Sequence, residues 1–122
     1  MGKYTDISKT LNSYFNQFCS SYLKNNVPKN AKKPYLTYTV QEGQEFEDNI
    51  IQVMIYSDSK SVTEVATIAD SIGDNLGEGI TINAIGTSFT TMYLRKGTPF
   101  AQGMNDDTTG MCIYINIIQK IL

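Results

Sequence analysis

The sequence predicts an α+β fold, in which two helices pack on one face of a single-layer, mainly antiparallel sheet of about four to five strands. Apolar residues recur at helical spacing in residues 5–24 and 61–76, whereas shorter segments alternate or are continuously apolar. These segments follow the order helix, strand, strand, helix and then three strands, so helices and strands form separate runs. A chain of 122 residues suits one domain, and we expect residues 1–122 to fold as a single unit.

The first predicted helix covers residues 5–24. Its apolar stripe consists of side chains at helical spacing, namely Ile7, Leu11, Tyr14, Phe15, Phe18 and Tyr22. Thr5 or Asp6 can cap its N-terminus. Residues 24–34 are predicted to form a basic loop, because the two prolines in this segment oppose a helix.

Two strands are predicted next, at residues 35–41 and 49–57, on either side of an acidic turn at 42–48. The first strand alternates, with Tyr35, Thr37, Thr39 and Gln41 on one face and Leu36, Tyr38 and Val40 on the other. The second strand is apolar almost throughout, which predicts a central position in the sheet. The turn contains four acidic residues, Glu42, Glu45, Glu47 and Asp48, but lacks the ordered spacing of a calcium loop.

The second predicted helix covers residues 61–76. Ser61 is placed to cap this helix, and Glu64, three residues later, completes a capping box. Gly77 is placed to end it. The predicted buried stripe comprises Val65, Ile68, Ala69, Ile72 and Leu76.

Three further strands are predicted at residues 79–85, 87–96 and 111–121. In the last of these, Ile113, Ile115 and Ile117 share one face, and Cys112, Tyr114, Asn116 and Ile118 share the other. Residues 97–110 are predicted to be a long loop, since glycine, proline and aspartate recur in it. Loops of this length often have a function.

Composition favours contact with other proteins. Charged residues make up 18% of the chain, against about 25% in a typical domain, and the chain contains eight Tyr and five Met. Tyr and Met are enriched at protein interfaces, whereas Lys, Glu and Asp are depleted there. Residues 1–33 carry six Lys and one Asp, whereas residues 34–122 carry three Lys, one Arg and eleven acidic residues. The basic end is either a solvated surface or an arm that docks on an acidic neighbour or nucleic acid, but a pI near 5.0 argues against a dedicated DNA binder.

The sequence contains no recognisable active site. It has no His, so the commonest general base is missing. Cys19 and Cys112 are too far apart in sequence to suggest a metal site, and both are expected to be reduced and at least partly buried. The adjacent acids Asp106 and Asp107 are typical of a turn. We therefore predict no catalytic residue, no metal and no cofactor, and the absence of a signal peptide predicts synthesis in a cytoplasm.

Three segments together resemble a known family. Residues 34–38 (Pro-Tyr-Leu-Thr-Tyr), 49–57 (Asn-Ile-Ile-Gln-Val-Met-Ile-Tyr-Ser, followed by the 61–76 helix) and 94–102 (Leu-Arg-Lys-Gly-Thr-Pro-Phe-Ala-Gln) resemble segments of phage tail-terminator proteins, a family that includes a group of minor capsid proteins. The resemblance implies a structural virion protein that forms a ring, commonly hexameric, at the head-proximal end of a tail tube. Its implied partners are further copies of itself, the tail tube protein and a head-connector protein. The resemblance implies no sequence-specific nucleic-acid binding. The sequence has no uninterrupted apolar stretch near the length needed to span a bilayer, which predicts no membrane association.

Two other functions remain open from the residues alone. One is another head–tail connector, or neck protein, with the same small α+β build. The other, from a different class, is a small α+β enzyme that acts on a phosphate-containing substrate. The expected location for the virion protein is the host cytoplasm during assembly and the tail or neck of the mature particle.

Two segments are predicted to contact partners. The basic segment supplies Lys24, Lys29, Lys32 and Lys33, and the predicted 97–110 loop supplies Phe100, Gln102 and Met104. The sheet face away from the helices is predicted to be Thr-rich (Thr37, Thr39, Thr81 and Thr90) and nearly uncharged. That face is either plain solvent surface or a surface that meets a partner.

Overall fold

The computed structural model describes residues 3–39, 49–58, 62–106 and 110–122. In these ranges the chain forms two helices and six strands. They are α1 (Lys3–Asn16), β1 (Ser20–Leu23), β2 (Tyr35–Thr39), β3 (Asn49–Ser57), α2 (Val62–Leu76), β4 (Ile80–Asn83), β5 (Thr91–Asp106) and β6 (Met111–Ile121). The α+β class and the two helices are as predicted.

The strands form one sheet in the order β1-β2-β3-β6-β5-β4. All neighbouring pairs are antiparallel except β1 and β2, which are parallel. The sheet is therefore mixed and has six strands within the described residues, against the predicted mainly antiparallel sheet of about four to five strands. The bounds of β3 and β6 are those predicted from their apolar patterns. The predicted acidic turn at 42–48 lies outside the described residues.

The prediction of one helix over residues 5–24 was wrong beyond residue 16, because α1 ends there and β1 follows. The side chain of Asn16 stabilises this change of direction. Its Oδ1 accepts hydrogen bonds from the Ser21 amide at 3.1 Å and from the Ser21 hydroxyl at 2.8 Å. As a result Tyr22 lies on a strand beside Thr37 of β2, instead of on the helix stripe.

The predicted loop at 97–110 was also wrong as far as residue 106, since β5 continues to Asp106 and pairs with β6. Residues 107–109 lie outside the described residues. The pairing register shifts between Lys96 and Ala101 and again between Gln102 and Met104. Such irregularities accommodate the glycines and the proline that suggested a loop, because glycine and proline are tolerated at β-bulges. The predicted strand at 87–96 correspondingly begins only at Thr91.

Both helices cover the same face of the sheet, and one hydrophobic core joins them to it. The core row of β6 consists of Ile113, Ile115 and Ile117. The stripe that α2 presents is the predicted one, with Val65, Ala69, Ile72 and Leu76 buried and Ile68 packed against the core. The helices are also tied to each other, because the Tyr14 hydroxyl donates a hydrogen bond to Asn75 Oδ1 at 2.8 Å.

Both ends of α2 are fixed by specific contacts. At its start, the Glu64 carboxylate accepts a hydrogen bond of 2.6 Å from the hydroxyl of Ser57, the last residue of β3. The predicted cap, Ser61, lies outside the described residues. At its end, Gly77 adopts a positive φ of 51° and its amide donates to the Gly73 carbonyl at 2.9 Å, which confirms the predicted helix stop.

Asp6 fastens α1 to the turn between β4 and β5. It lies in the first turn of α1, not at the cap position predicted for it, and is only 1% exposed. Its carboxylate accepts hydrogen bonds from the amides of Thr87 at 3.2 Å and Ser88 at 3.0 Å. The turn approaches so closely that a side chain at Gly86, where φ is 106°, would collide with this carboxylate. Thr10 adds a second tie, since its hydroxyl accepts a hydrogen bond of 3.0 Å from an amide of the same turn.

We expect Asp6→Asn to destabilise the protein. The hydrogen bonds from the Ser88 side chain and amide lower the pKa of Asp6 below its ordinary 3.8, so the folded state favours the carboxylate. The stabilisation from this shift is present above pH 3.8 and is lost as the pH falls through the lowered pKa. Urea unfolding should show a deficit in the variant at neutral pH that shrinks in strong acid. Asp70→Asn, on the exposed side of α2, is the control, and equal stability of Asp6→Asn and wild type at neutral pH would contradict the assignment.

Candidate interaction surface

The sheet face opposite the helices carries a row of aromatic side chains. We call this face the outer face and define it by Tyr22, Tyr35, Met54, Tyr56 and Tyr114. The strand register places them together, since Tyr35 pairs with Tyr56 and Met54 pairs with Tyr114. Side chains alternate across a strand. Because Leu36, Tyr38, Val53 and Ile55 are buried beneath the helices, the residues that alternate with them point to the outer face.

The rings of the outer face pack against one another. Tyr22 and Tyr35 are 5.8 Å apart between ring centres at an interplanar angle of 76°, and Tyr35 and Tyr56 are 5.2 Å apart at 41°. The Tyr56 hydroxyl lies 3.7 Å from the sulfur of Met54. Burial raises the pKa of Tyr56, although a hydrogen bond with the Thr37 side chain acts in the opposite direction. The packing of the rings against one another holds the row in place.

The charged residues at the described strand positions of the outer face are all basic. The described strand positions that point to this face include Arg95 and Lys120 but no Asp or Glu. Lys33 lies at its border, with Nζ 5.9 Å from the centre of the Tyr56 ring, a distance within the range of a cation–π contact. These basic positions contrast with the chain as a whole, whose formal net charge is −2.

The structure places the four predicted lysines in the segment that joins β1 to β2. Lys24, Lys29 and Lys32 are exposed, whereas Lys33 is half-buried against Tyr56. The segment is free of helix and strand from residue 24 to 34, as predicted. Of these lysines, Lys33 is the one whose described contacts join it to the outer face.

The predicted contact residues of β5 are separated from one another. The Phe100 side chain is half-buried on the helix side, where its ring lies against Gly73 of α2. Lys96 Nζ is 6.0 Å from the centre of that ring. In the register, Gln102 pairs with Tyr114 and Met104 with Ile113. The structure thus brings together Lys33, the tyrosine row and the backbone of Gln102, but not Phe100.

Sequence reasoning assigned the outer face to threonine and missed its aromatic character. Thr37 is only 5% exposed, because neighbouring side chains cover it, and Thr90 precedes β5 instead of lying in a strand. Tyr22 could not be assigned to this face while residues 20–23 were predicted to be helical. A usable signal was present nevertheless, since Tyr35 and Tyr56 both lie in predicted strands at positions out of phase with the core residues.

Groups with catalytic potential are few among the described residues. Burial raises the pKa of the Cys19 thiol to about 11, so it is protonated at neutral pH and a poor nucleophile. Cys112 is 3% exposed, and neither cysteine forms a disulfide. An open groove beside the end of α2 contains Arg95 and Lys96, but Glu78 lies in the same groove. In the described ranges, His, Cys, Asp and Glu side chains form no group that could hold a metal ion.

Comparison with protein-family models, with curated proteins and with solved structures found no match to this chain. Within the described residues, neither helix is long and apolar enough to cross a membrane. Function is therefore inferred from the residues themselves and from the geometry of the outer face.

We expect Phe100→Ala to reduce the free energy of unfolding by about 2 kcal/mol, less than for a fully buried phenylalanine, because the ring packs on α2. Lys29→Ala, an exposed position in the basic segment, should change stability by less than about 0.5 kcal/mol. Chemical denaturation of the two variants beside wild type measures both values. Unchanged stability of Phe100→Ala would show that the ring does not support the helix layer.

Proposed function

We propose that this protein is a structural virion protein, a phage tail terminator that forms a ring at the head-proximal end of the tail tube. The observation that carries this proposal is the outer face, a fixed row of tyrosine and methionine without acidic residues at its described strand positions. Tyrosine and methionine supply contact area at protein interfaces and are enriched there. The resemblance of three segments to tail terminators supports this kind of assembly.

The proposed ring has two classes of partner. Further copies of the chain close the ring, which requires association through two different surfaces of each subunit. The tail tube protein and the head connector bind its two ends. Synthesis in the host cytoplasm precedes incorporation into the virion. A neck protein elsewhere in the head–tail connection would use the same type of surface, and the position of the protein in the particle distinguishes the two roles.

The enzyme alternative has weaker support from the site. The groove beside the end of α2 is lined by Arg95 and Lys96, but a carboxylate residue, Glu78, lines it as well. Cys19 is the less buried of the two described cysteines, and burial raises the pKa of its thiol, so the thiol stays protonated at neutral pH. Binding to another protein requires only the tyrosine and methionine side chains that the outer face provides. Catalysis on a phosphate group would require an activating group in addition to the described residues.

The proposal predicts that the double variant Tyr35→Ser, Tyr56→Ser folds but fails to complete tails. Loss of both rings removes interface area while leaving the core row beneath the helices intact. The measurement is complementation of a gene deletion in the phage, scored by infectious titre and by tail length in electron micrographs. We expect the titre to fall by about tenfold or more relative to wild type.

Tyr4→Ser is the matched control, since Tyr4 is 41% exposed but lies on α1, away from the outer face. It should complement normally. Immunogold labelling should locate the protein at the head-proximal end of the tail. Its absence from virions, or normal tails with the double variant, would refute the proposed function. A thermal shift with nucleotides or phosphoesters would instead favour the enzyme.

A further inference from the structure

We propose that the outer face of one copy binds the exposed, acidic side of α2 in a second copy. The inference rests on the proposed function in one respect, namely that this protein assembles with itself. It goes beyond that function by naming the two surfaces that meet.

The exposed side of α2 is uniformly acidic. Glu64, Asp70 and Asp74 are its charged residues, and the helix contains no Lys or Arg. Its apolar stripe faces the core, so the three carboxylates lie on the solvent side, where all three residues are exposed. Thr63, Thr67 and Ser71 fill the space between them with small polar groups. This surface can approach another protein closely, but its negative charge requires a cationic partner.

The outer face supplies that complement. It carries Arg95 and Lys120, Lys33 lies at its border, and its described strand positions contain no carboxylate. Glu64 already accepts a hydrogen bond from Ser57, so Asp70 and Asp74 are the acids that α2 offers to a second copy. Lys120 and the bordering Lys33 are the lysines that would face them. Exposed ion pairs contribute little individually, so they orient the contact while the tyrosine row supplies the buried area.

Dimensions fit the same arrangement. A helix of 15 residues is about 22 Å long. The outer face, followed along β6 from Cys112 to Lys120, extends over about 26 Å. One helix can therefore lie across the face and reach from the tyrosine row to Lys120.

The two surfaces lie on opposite sides of the molecule, since α2 packs on one face of the sheet and the outer face is the other. A contact between them is heterologous, so each copy offers one surface to the next and the same contact repeats. Such a contact closes into a ring when its rotation allows closure. A symmetric dimer through two outer faces would instead bring like charges together.

A nucleic-acid strand is a poorer occupant. Platforms that bind single strands present the flat faces of aromatic rings to the bases. Here the edges and faces of the rings contact one another, at interplanar angles of 76° and 41°. The chain as a whole is acidic, with a pI near 5.0.

Reciprocal charge reversal tests the contact. The acid-reversed variant is Asp70→Lys, Asp74→Lys, and the base-reversed variant is Lys33→Glu, Lys120→Glu. Each alone should weaken self-association by about tenfold or more, because like charges then face each other. An equimolar mixture should regain association, since each variant again meets a complementary surface. Sedimentation velocity measures the size of the assemblies, and Lys9→Glu, at an exposed position on α1, is the control that should assemble as wild type.

A second measurement does not depend on the variants' folding. Zero-length carbodiimide cross-linking of mixed isotope-labelled and unlabelled wild type should join Asp70 or Asp74 of one copy to Lys33 or Lys120 of another. The inference is overturned if wild type stays monomeric at about 1 mM, where even weak specific contacts are populated. It is equally overturned if intermolecular links avoid these residues, or if the mixture fails to associate while both folded variants are monomeric. Binding of a single-stranded oligonucleotide that is lost in Tyr56→Ser would also overturn it.

The two proposals can fail separately. If rings form and charge reversal leaves them intact, this contact is wrong while the tail-terminator function stands. If reversal and rescue behave as expected but the protein is absent from virions, the contact stands and the function fails.

Discussion

The burial of one row of β6 beneath both helices is the constraint on which the rest of the structure depends. Ile113, Ile115 and Ile117 are at most 4% exposed, and β6 lies between β3 and β5. Its partners on β3, Ile51, Val53 and Ile55, are buried in the same register. A shift of one residue would move every one of these side chains to the opposite face. Burial of this row therefore determines which residues of each strand point to the outer face.

Elements with an unambiguous apolar pattern were predicted well from sequence. β3 and β6 have their predicted bounds because their isoleucine and valine rows allow only a strand of that length, and α2 has its predicted stripe and its glycine stop. The failures occurred where two patterns compete. Residues 17–24 continue the helical spacing through Phe18 and Tyr22, but hydrogen bonds from Ser21 to the Asn16 side chain favour a strand, and this tertiary arrangement is invisible in a periodicity. In β5, glycine and proline are compatible with both a loop and a bulged strand, and only the pairing with β6 distinguishes the two structures.

The candidate surface was less predictable than the fold. In the sequence, charge divides between a basic beginning and an acidic remainder. In the folded protein the acidic residues of α2 lie on one side of the sheet, and Arg95 and Lys120 lie at strand positions of the other side. Lys33 and Lys120 are far apart in the chain, and only the sheet places both along one surface. Phe100 shows the converse, since its neighbours in sequence suggested exposure whereas Gly73, on a distant helix, leaves room for its ring.

The lengths of the outermost strands restrict how this protein can associate. β1 and β4 form the two borders of the sheet, and each has four residues. A chain that added itself as a further strand would gain only a few backbone hydrogen bonds at either border, too few to template an extended aggregate. Short borders are a common protection against amyloid-like growth. With such short borders, the broad faces of the sheet and the helices, with their specific side chains, are the favoured route to contact with another protein.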